Sequence, residues 1–138
     1  MSEVTIRAAG LSDARAVLAL WREADAEATH TDNVESLSRL IGHNSQALIV
    51  AEEGGQIVGS VIAGWDGWRG SIYRLAVAPA RRRRGIGTRM LHQAESLLAA
   101  AGATRSQAIV VEPDGSAIAF WRASGWEQQT DRVRFVKG

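Results

Sequence analysis

The densest chemistry in this sequence is Arg81-Arg82-Arg83-Arg84-Gly85-Ile86-Gly87-Thr88, four guanidinium groups running into two closely spaced glycines. The stretch lies between a strand-like run and the start of a long helical pattern. The first turn of a helix leaves backbone N–H groups without partners, and the helix dipole adds partial positive charge there. Glycines let the backbone approach a ligand closely, and phosphate oxygens match the open donors. Arginines add charge-assisted bonds to the same oxygens. The spacing points to a pyrophosphate. Two plainer readings compete: a solvated helix entry, or a nucleic-acid or nuclear-localisation patch. No interleaved aromatic residue or second basic run extends the patch, so nucleic acid is not an expected partner.

Other reactive groups are few. There is no cysteine, hence no disulfide, thiolate or cysteine nucleophile. The histidines, His30, His43 and His92, show no spacing with carboxylates that suggests a metal, and none is expected. Tyr73 is the single tyrosine, whereas tryptophan occurs five times.

The elements that must position these groups follow from periodicity. Val4 to Ala8 reads as a strand, and Gly10-Leu11-Ser12 breaks it, with Ser12 as helix N-cap. Val17, Leu18, Leu20, Trp21 and Ala24 give a helix over 13–26, and Val34, Leu37, Leu40 and Ile41 a second. Gln46–Glu52 and Gln56–Trp65 form a hairpin around Gly54-Gly55. The loop Gly64-Trp65-Asp66-Gly67-Trp68-Arg69-Gly70 leads into a strand from Ser71 to Val77. Apolar residues from Ile86 to Ala101 line one face of a long helix, which Gly102 stops. Arg105–Val111 reads as a strand and about Gly115–Ala123 as a helix. Trp126–Gln129 with Val133–Val136 reads as a closing strand pair.

Two segments match a known family. Leu75-Ala76-Val77-Ala78-Pro79 followed by Arg82-x-x-Gly85-x-Gly87 resembles motif A of the GNAT superfamily of N-acetyltransferases, whose loop reads Q/R-x-x-G-x-G/A. Ala117 to Trp126, reading A-I-A-F-W-R-A-S-G-W, resembles its motif B, commonly A-x-x-F/L-Y-E-K-x-G-F. The Gly64–Gly70 loop is similar to one in a group of small bacterial acetyltransferases, where it reads roughly G-Y-D-G-H-R-G. The resemblance implies one α/β domain over 1–138, with a mixed, mostly antiparallel sheet of six to seven strands. About four helices flank it, in the order β-α-α-β-β-β-α-β-α-β-β.

It also implies acetyl-coenzyme A as cosubstrate and an amine of a small molecule or peptide as acceptor. Leu75, Ala76 and Val77 would line the pantetheine arm, with the Val77 N–H on the thioester carbonyl. Arg82, Arg83, Arg84, Gly85, Ile86, Gly87 and Thr88 would take the phosphates. Asp114 stands where many members carry an asparagine that contacts the cofactor arm. Trp121 replaces the usual tyrosine and would pack against that arm. Indole N–H does not surrender its proton at useful pH, so the general acid passes to Tyr73 or to water. Otherwise Tyr73 is a strand residue facing the core. Candidate bases are Asp66, His30, Glu112 and Glu35, with Asp66 preferred and an ordinary turn aspartate as its rival. Trp21, Trp65, Trp68 and His30 would border the acceptor, although Trp21 on an apolar helix face also reads as core. Transfer of another acyl group, and a non-catalytic acyl-CoA-binding domain, are the alternatives.

Composition agrees with an ordinary globular chain: 138 residues, 46% hydrophobic and 22% charged. Residues 1–68 hold 10 acidic and 4 basic side chains, residues 69–138 hold 5 and 12, so the C-terminal half is the one that meets an anion. Met1-Ser2-Glu3-Val4 has no basic or apolar leader character, and no apolar run is of bilayer length. A cytoplasmic monomer or homodimer with no membrane partner is expected.

Overall fold

The computed structural model describes residues 3–24, 29–110 and 116–138. Five strands form one sheet: β1 (Val4–Ala8), β2 (Leu48–Glu53), β3 (Gln56–Trp65), β4 (Gly70–Val77) and β5 (Ser106–Ala108). Four helices flank it: α1 (Ala14–Glu23), α2 (Val34–His43), α3 (Ile86–Ala101) and α4 (Ser116–Ala123). The strands lie in chain order, the first four antiparallel and β5 parallel to β4.

Local sequence explains the boundaries. Gly54 and Gly55 both take positive φ, 58° and 79°, which the tight β2–β3 turn requires and which pairs Glu53 with Gln56. The Asn33 side chain accepts from the Ser36 N–H at 2.8 Å and caps α2. Gly102, at φ 111°, closes α3 with the Ala103 N–H donating to the Leu98 carbonyl at 2.9 Å. Ser12 is not the cap of α1. A 3-10 turn at Leu11–Asp13 precedes the helix. There the Asp13 carboxylate accepts from the Gly10 N–H at 2.8 Å while paired with Arg7.

Alternate residues of β3 face opposite layers. A Cβ at Gly59 would lie 2.6 Å from Met90 Cε of α3, whereas Ser60 bonds Trp21 of α1. The sheet is therefore packed between α1 on one face and α3 on the other. Val17, Leu20 and Trp21 fill the first layer, and Met90, Leu91, Ala94 and Leu98 the second. Gly70 is a point of close approach. A Cβ there would fall 2.5 Å from Ser106 Oγ and 2.7 Å from Leu98 Cδ1. Gly70→Ala is expected to cost about 1–3 kcal/mol of stability through overpacking, checked by urea unfolding.

The architecture is the expected mixed α/β class, with fewer strands. Among the described residues, Trp126–Gln129 and Val133–Val136 do not pair. Val133 and Phe135 remain 81% and 92% exposed, so the segment packs on no face of the sheet. Alternation alone does not make a strand where no sheet face is present to cover it. Of the expected 13–26 helix, Ala14–Glu23 is helical, and of the 105–111 strand, Ser106–Ala108 forms; residues 25, 26 and 111 lie outside the described residues. No helix among the described residues is long and apolar enough to cross a membrane.

Candidate active site

The site begins with a break in β4. Register against β3 shifts between Ser60 and Ile62, and Arg74 sits in the bulge with φ 53°, a left-handed conformation uncommon for a non-glycine residue. Past the bulge the strand stays paired with β3, since the Ala78 N–H donates to the Val58 carbonyl at 2.8 Å. Backbone groups alternate direction along an antiparallel strand, so those of Val77 and Leu75 point to the other edge. There β5 pairs only with Gly70, Ser71 and Ile72. The outer edge from Tyr73 to Val77 has no strand beside it among the described residues. Its half-buried side chains Leu75, Ala76 and Val77 border the opening.

The strand leads into the arginine–glycine loop. Gly85 is the N-cap of α3 at φ 79°, with no side-chain cap and no acidic residue in the first turn. The first intrahelical bond is from the Arg89 N–H to the Gly85 carbonyl, 3.1 Å, which leaves the amides of Ile86, Gly87 and Thr88 outside the helical ladder. Nothing lies within 4 Å of a Cβ placed at Gly85, so the space over these amides is open. A Cβ at Gly87 would meet Val77 Cγ2 at 3.6 Å and the Phe120 ring at 3.7 Å. Strand end, helix entry and α4 thus converge within a few ångströms. Open amides, the helix dipole and a glycine gap fit a pyrophosphate.

The four arginines divide their work, which the sequence did not reveal. Arg84 donates to both carboxylate oxygens of Glu53, at 3.1 and 2.7 Å, and Arg81 reaches the same carboxylate at 3.3 Å. Arg82 Nε donates to the Val77 carbonyl at 3.2 Å. Arg83 is exposed, with φ 65°. Arg84 is thus tied to the β2–β3 hairpin, while the Arg83 side chain is exposed. Glu53 is 8% exposed, and the adjacent Arg84, then Arg81, hold its carboxyl below the usual glutamate range. A depressed folded-state pKa stabilises the fold above the unfolded-state value, and this is lost as pH falls through the folded-state value. Glu53→Gln is expected to lower the melting temperature by a few degrees at pH 7 and to flatten its fall on acidification. Differential scanning calorimetry from pH 7 to pH 3 checks both.

The remaining candidates are scattered. Trp121 stacks edge-on with Trp126 at 4.8 Å and with Phe120 at 5.9 Å, while Trp126 Nε1 donates to Glu95 of α3 at 3.2 Å. Of the motif B aromatics, Phe120 is the one seated beside Gly87. Tyr73 is 49% exposed, so it is not a core residue. It lies on the α1 face, where a Cβ at Gly64 would be 3.2 Å from its ring. Asp66 accepts from the backbone N–H groups of Arg69 at 2.7 Å and Trp68 at 2.8 Å, and these bonds lower its pKa. It braces its own turn. That turn is also at the opposite end of β4 from Val77, about 23 Å away at ordinary strand rise.

No tryptophan wall assembles. Trp21 is buried, Trp65 packs towards α3 near Gly102, and Trp68 stands in solvent with Arg69 at 4.1 Å over its ring. His30 is exposed in the turn before α2, with Gly138 nearby, and Glu35 pairs with Arg39 on the surface of α2. Glu112 and Asp114 lie outside the described residues. Sequence reasoning missed Glu53, Ser60, Arg74 and Asp32. Each acts across 14 or more positions of chain, where local pattern carries no signal.

The comparisons agree with this geometry. The model of the Acetyltransferase (GNAT) family matches residues 14–126. An acetyltransferase of Pectobacterium atrosepticum is 35% identical over 115 residues, covering 83% of this chain and 82% of that protein. The crystal structure of the PaiA N-acetyltransferase from Thermoplasma acidophilum, in complex with coenzyme A, superposes with a TM-score of 0.80 at 14% identity, covering 94% of this chain and 93% of that one. A GNAT family acetyltransferase from Brucella melitensis, in complex with acetyl-CoA, gives 0.67 at 20% identity, covering 91% and 84%. A family model over residues 14–126 and a relative 35% identical over 83% of the chain, with a strand that runs into an arginine-flanked helix entry lacking a side-chain cap, place the protein in the GNAT family of acetyltransferases.

Proposed function

We propose that this chain is an N-acetyltransferase that draws on acetyl-coenzyme A and acetylates a primary amine of a small molecule or peptide. The observation that carries this reading is the outer edge of β4, with no strand beside Tyr73–Val77 among the described residues, leading directly to the amides of α3 outside its helical ladder. Backbone groups of Leu75 and Val77 pair with the pantetheine arm as an added strand would. The Val77 N–H donates to the thioester carbonyl, where negative charge develops. Amides of Ile86, Gly87 and Thr88 hold the pyrophosphate, with Arg83 on an outer phosphate. Arg81 and Arg84 act one step back, fixing the loop through Glu53.

When bound, the coenzyme supplies an acetyl group activated as a thioester. The chain then has to align an acceptor amine and manage protons. A lysine-type amine has an ordinary pKa near 10.4, so it must shed a proton before attack. The departing thiolate takes one up. We assign that second transfer to Tyr73, a reading supported by its exposure and its position one residue before the bulge.

A second reading, a coenzyme-binding domain without turnover, is favoured by Trp121 at the usual tyrosine position with its ring engaged by Trp126. Release of free thiol from acetyl-coenzyme A, measured across polyamines, amino acids and peptides, separates the two. Acceptor-dependent release supports the transferase. Tight coenzyme binding with no release for any class supports the binding domain.

A further inference from the structure

Arg74 is the residue of β4 whose backbone departs furthest from a strand, and three separate elements grip it. Its carbonyl accepts from Ser60 Oγ at 2.8 Å, and Ser60 Oγ in turn accepts from Trp21 Nε1 at 2.8 Å, both Ser60 and Trp21 being buried. Its guanidinium lies 4.9 Å over the Trp21 ring. Its Nη2 donates to both oxygens of Asp32, at 2.9 and 2.7 Å. Asp32 also accepts from the Thr29 N–H at 3.1 Å, so the turn preceding α2 is tied to the same point.

A left-handed conformation at a long side chain is unfavourable by itself and persists only where its surroundings over-determine it. Here the bulge separates the half of β4 paired with β5 from the half that, among the described residues, is paired with β3 alone. We infer that Arg74 is a positioning residue: Asp32, Trp21 and Ser60 clamp it in the left-handed state, and that state aims the Leu75 and Val77 amides at the pantetheine arm. The clamp also links the turn before α2 to the cofactor strand, so displacement of one moves the other. This inference rests on the coenzyme reading given above.

The test compares Arg74→Ala, Arg74→Gly and Asp32→Asn by calorimetry with coenzyme A and with adenosine 5′-diphosphate. The latter keeps the pyrophosphate and lacks the pantetheine arm. Arg74→Ala and Asp32→Asn are expected to weaken coenzyme A about tenfold, the size of one misplaced hydrogen bond, and to leave the diphosphate within about twofold. Arg74→Gly drops the same side chain but adopts positive φ without penalty, so it should return to within about threefold of the parent.

Equal weakening by Arg74→Ala and Arg74→Gly would overturn the inference, because charge rather than backbone conformation would then be responsible. Unchanged coenzyme affinity in Arg74→Ala, or a parallel loss for the diphosphate, would overturn it too. If Arg74→Ala does not fold, Asp32→Asn decides: selective loss for coenzyme A supports the inference, and no loss overturns it. Absence of coenzyme binding by the parent protein would instead strike the functional reading itself.

Discussion

Gly85→Asp is expected to reduce affinity for coenzyme A at least about 100-fold, the cost of losing more than one charge-assisted bond and adding like-charge repulsion. The structure gives the reason. Gly85 is the N-cap of α3, and its added Cβ would meet nothing within 4 Å, so the carboxylate has room to turn onto the amides of Ile86, Gly87 and Thr88. It would cap the helix from within and set a negative charge where the phosphates belong. The φ of 79° is tolerated by aspartate better than by most side chains, so the strain is about 1 kcal/mol and the fold persists. Isothermal titration with coenzyme A, beside a thermal melt, reads both quantities. Retained affinity with an intact melt would move the phosphate site elsewhere.

Tyr73→Phe carries the second large effect, a fall in turnover of about 100-fold, the lower end of what a positioned proton donor contributes. The ring stays, so the α1 face of β4 keeps its shape, and affinity for acetyl-coenzyme A should move little. Loss of turnover should come with loss of the alkaline limb of the pH–rate profile. Trp121→Phe is the contrast: its indole donates hydrogen bonds without releasing a proton, so the profile keeps its shape while affinity changes. Full turnover in Tyr73→Phe would leave water as the acid.

How much of this was legible in advance depended on range. The hairpin at Gly54-Gly55, the 16-residue helix from Ile86 and its stop at Gly102 were readable because glycine conformation and apolar periodicity are local quantities. The closing strand pair was misread for the complementary reason. Val133 and Phe135 alternate as strand residues do, yet a strand also needs a partner and a face that covers it, and both side chains stay exposed. The aromatic wall failed similarly: Trp65 and Trp68 are three positions apart, but one faces α3 and the other solvent. Asp66 was the preferred base with a turn aspartate as its rival, and its two backbone donors, invisible in the sequence, show that it braces its own turn.

The sequence by itself determined the proposed phosphate loop, because a glycine at a helix entry with arginines beside it is a contiguous feature whose chemistry is carried by neighbouring residues. It also specified the order of elements from β1 to α4 and the family to which they belong. Only the tertiary structure decided which arginines are spent on Glu53, where β4 breaks, and what holds Arg74 in the break. Those are contacts between segments from 14 to 42 residues apart. Their energies depend on distance and burial, and neither exists until the chain has closed on itself.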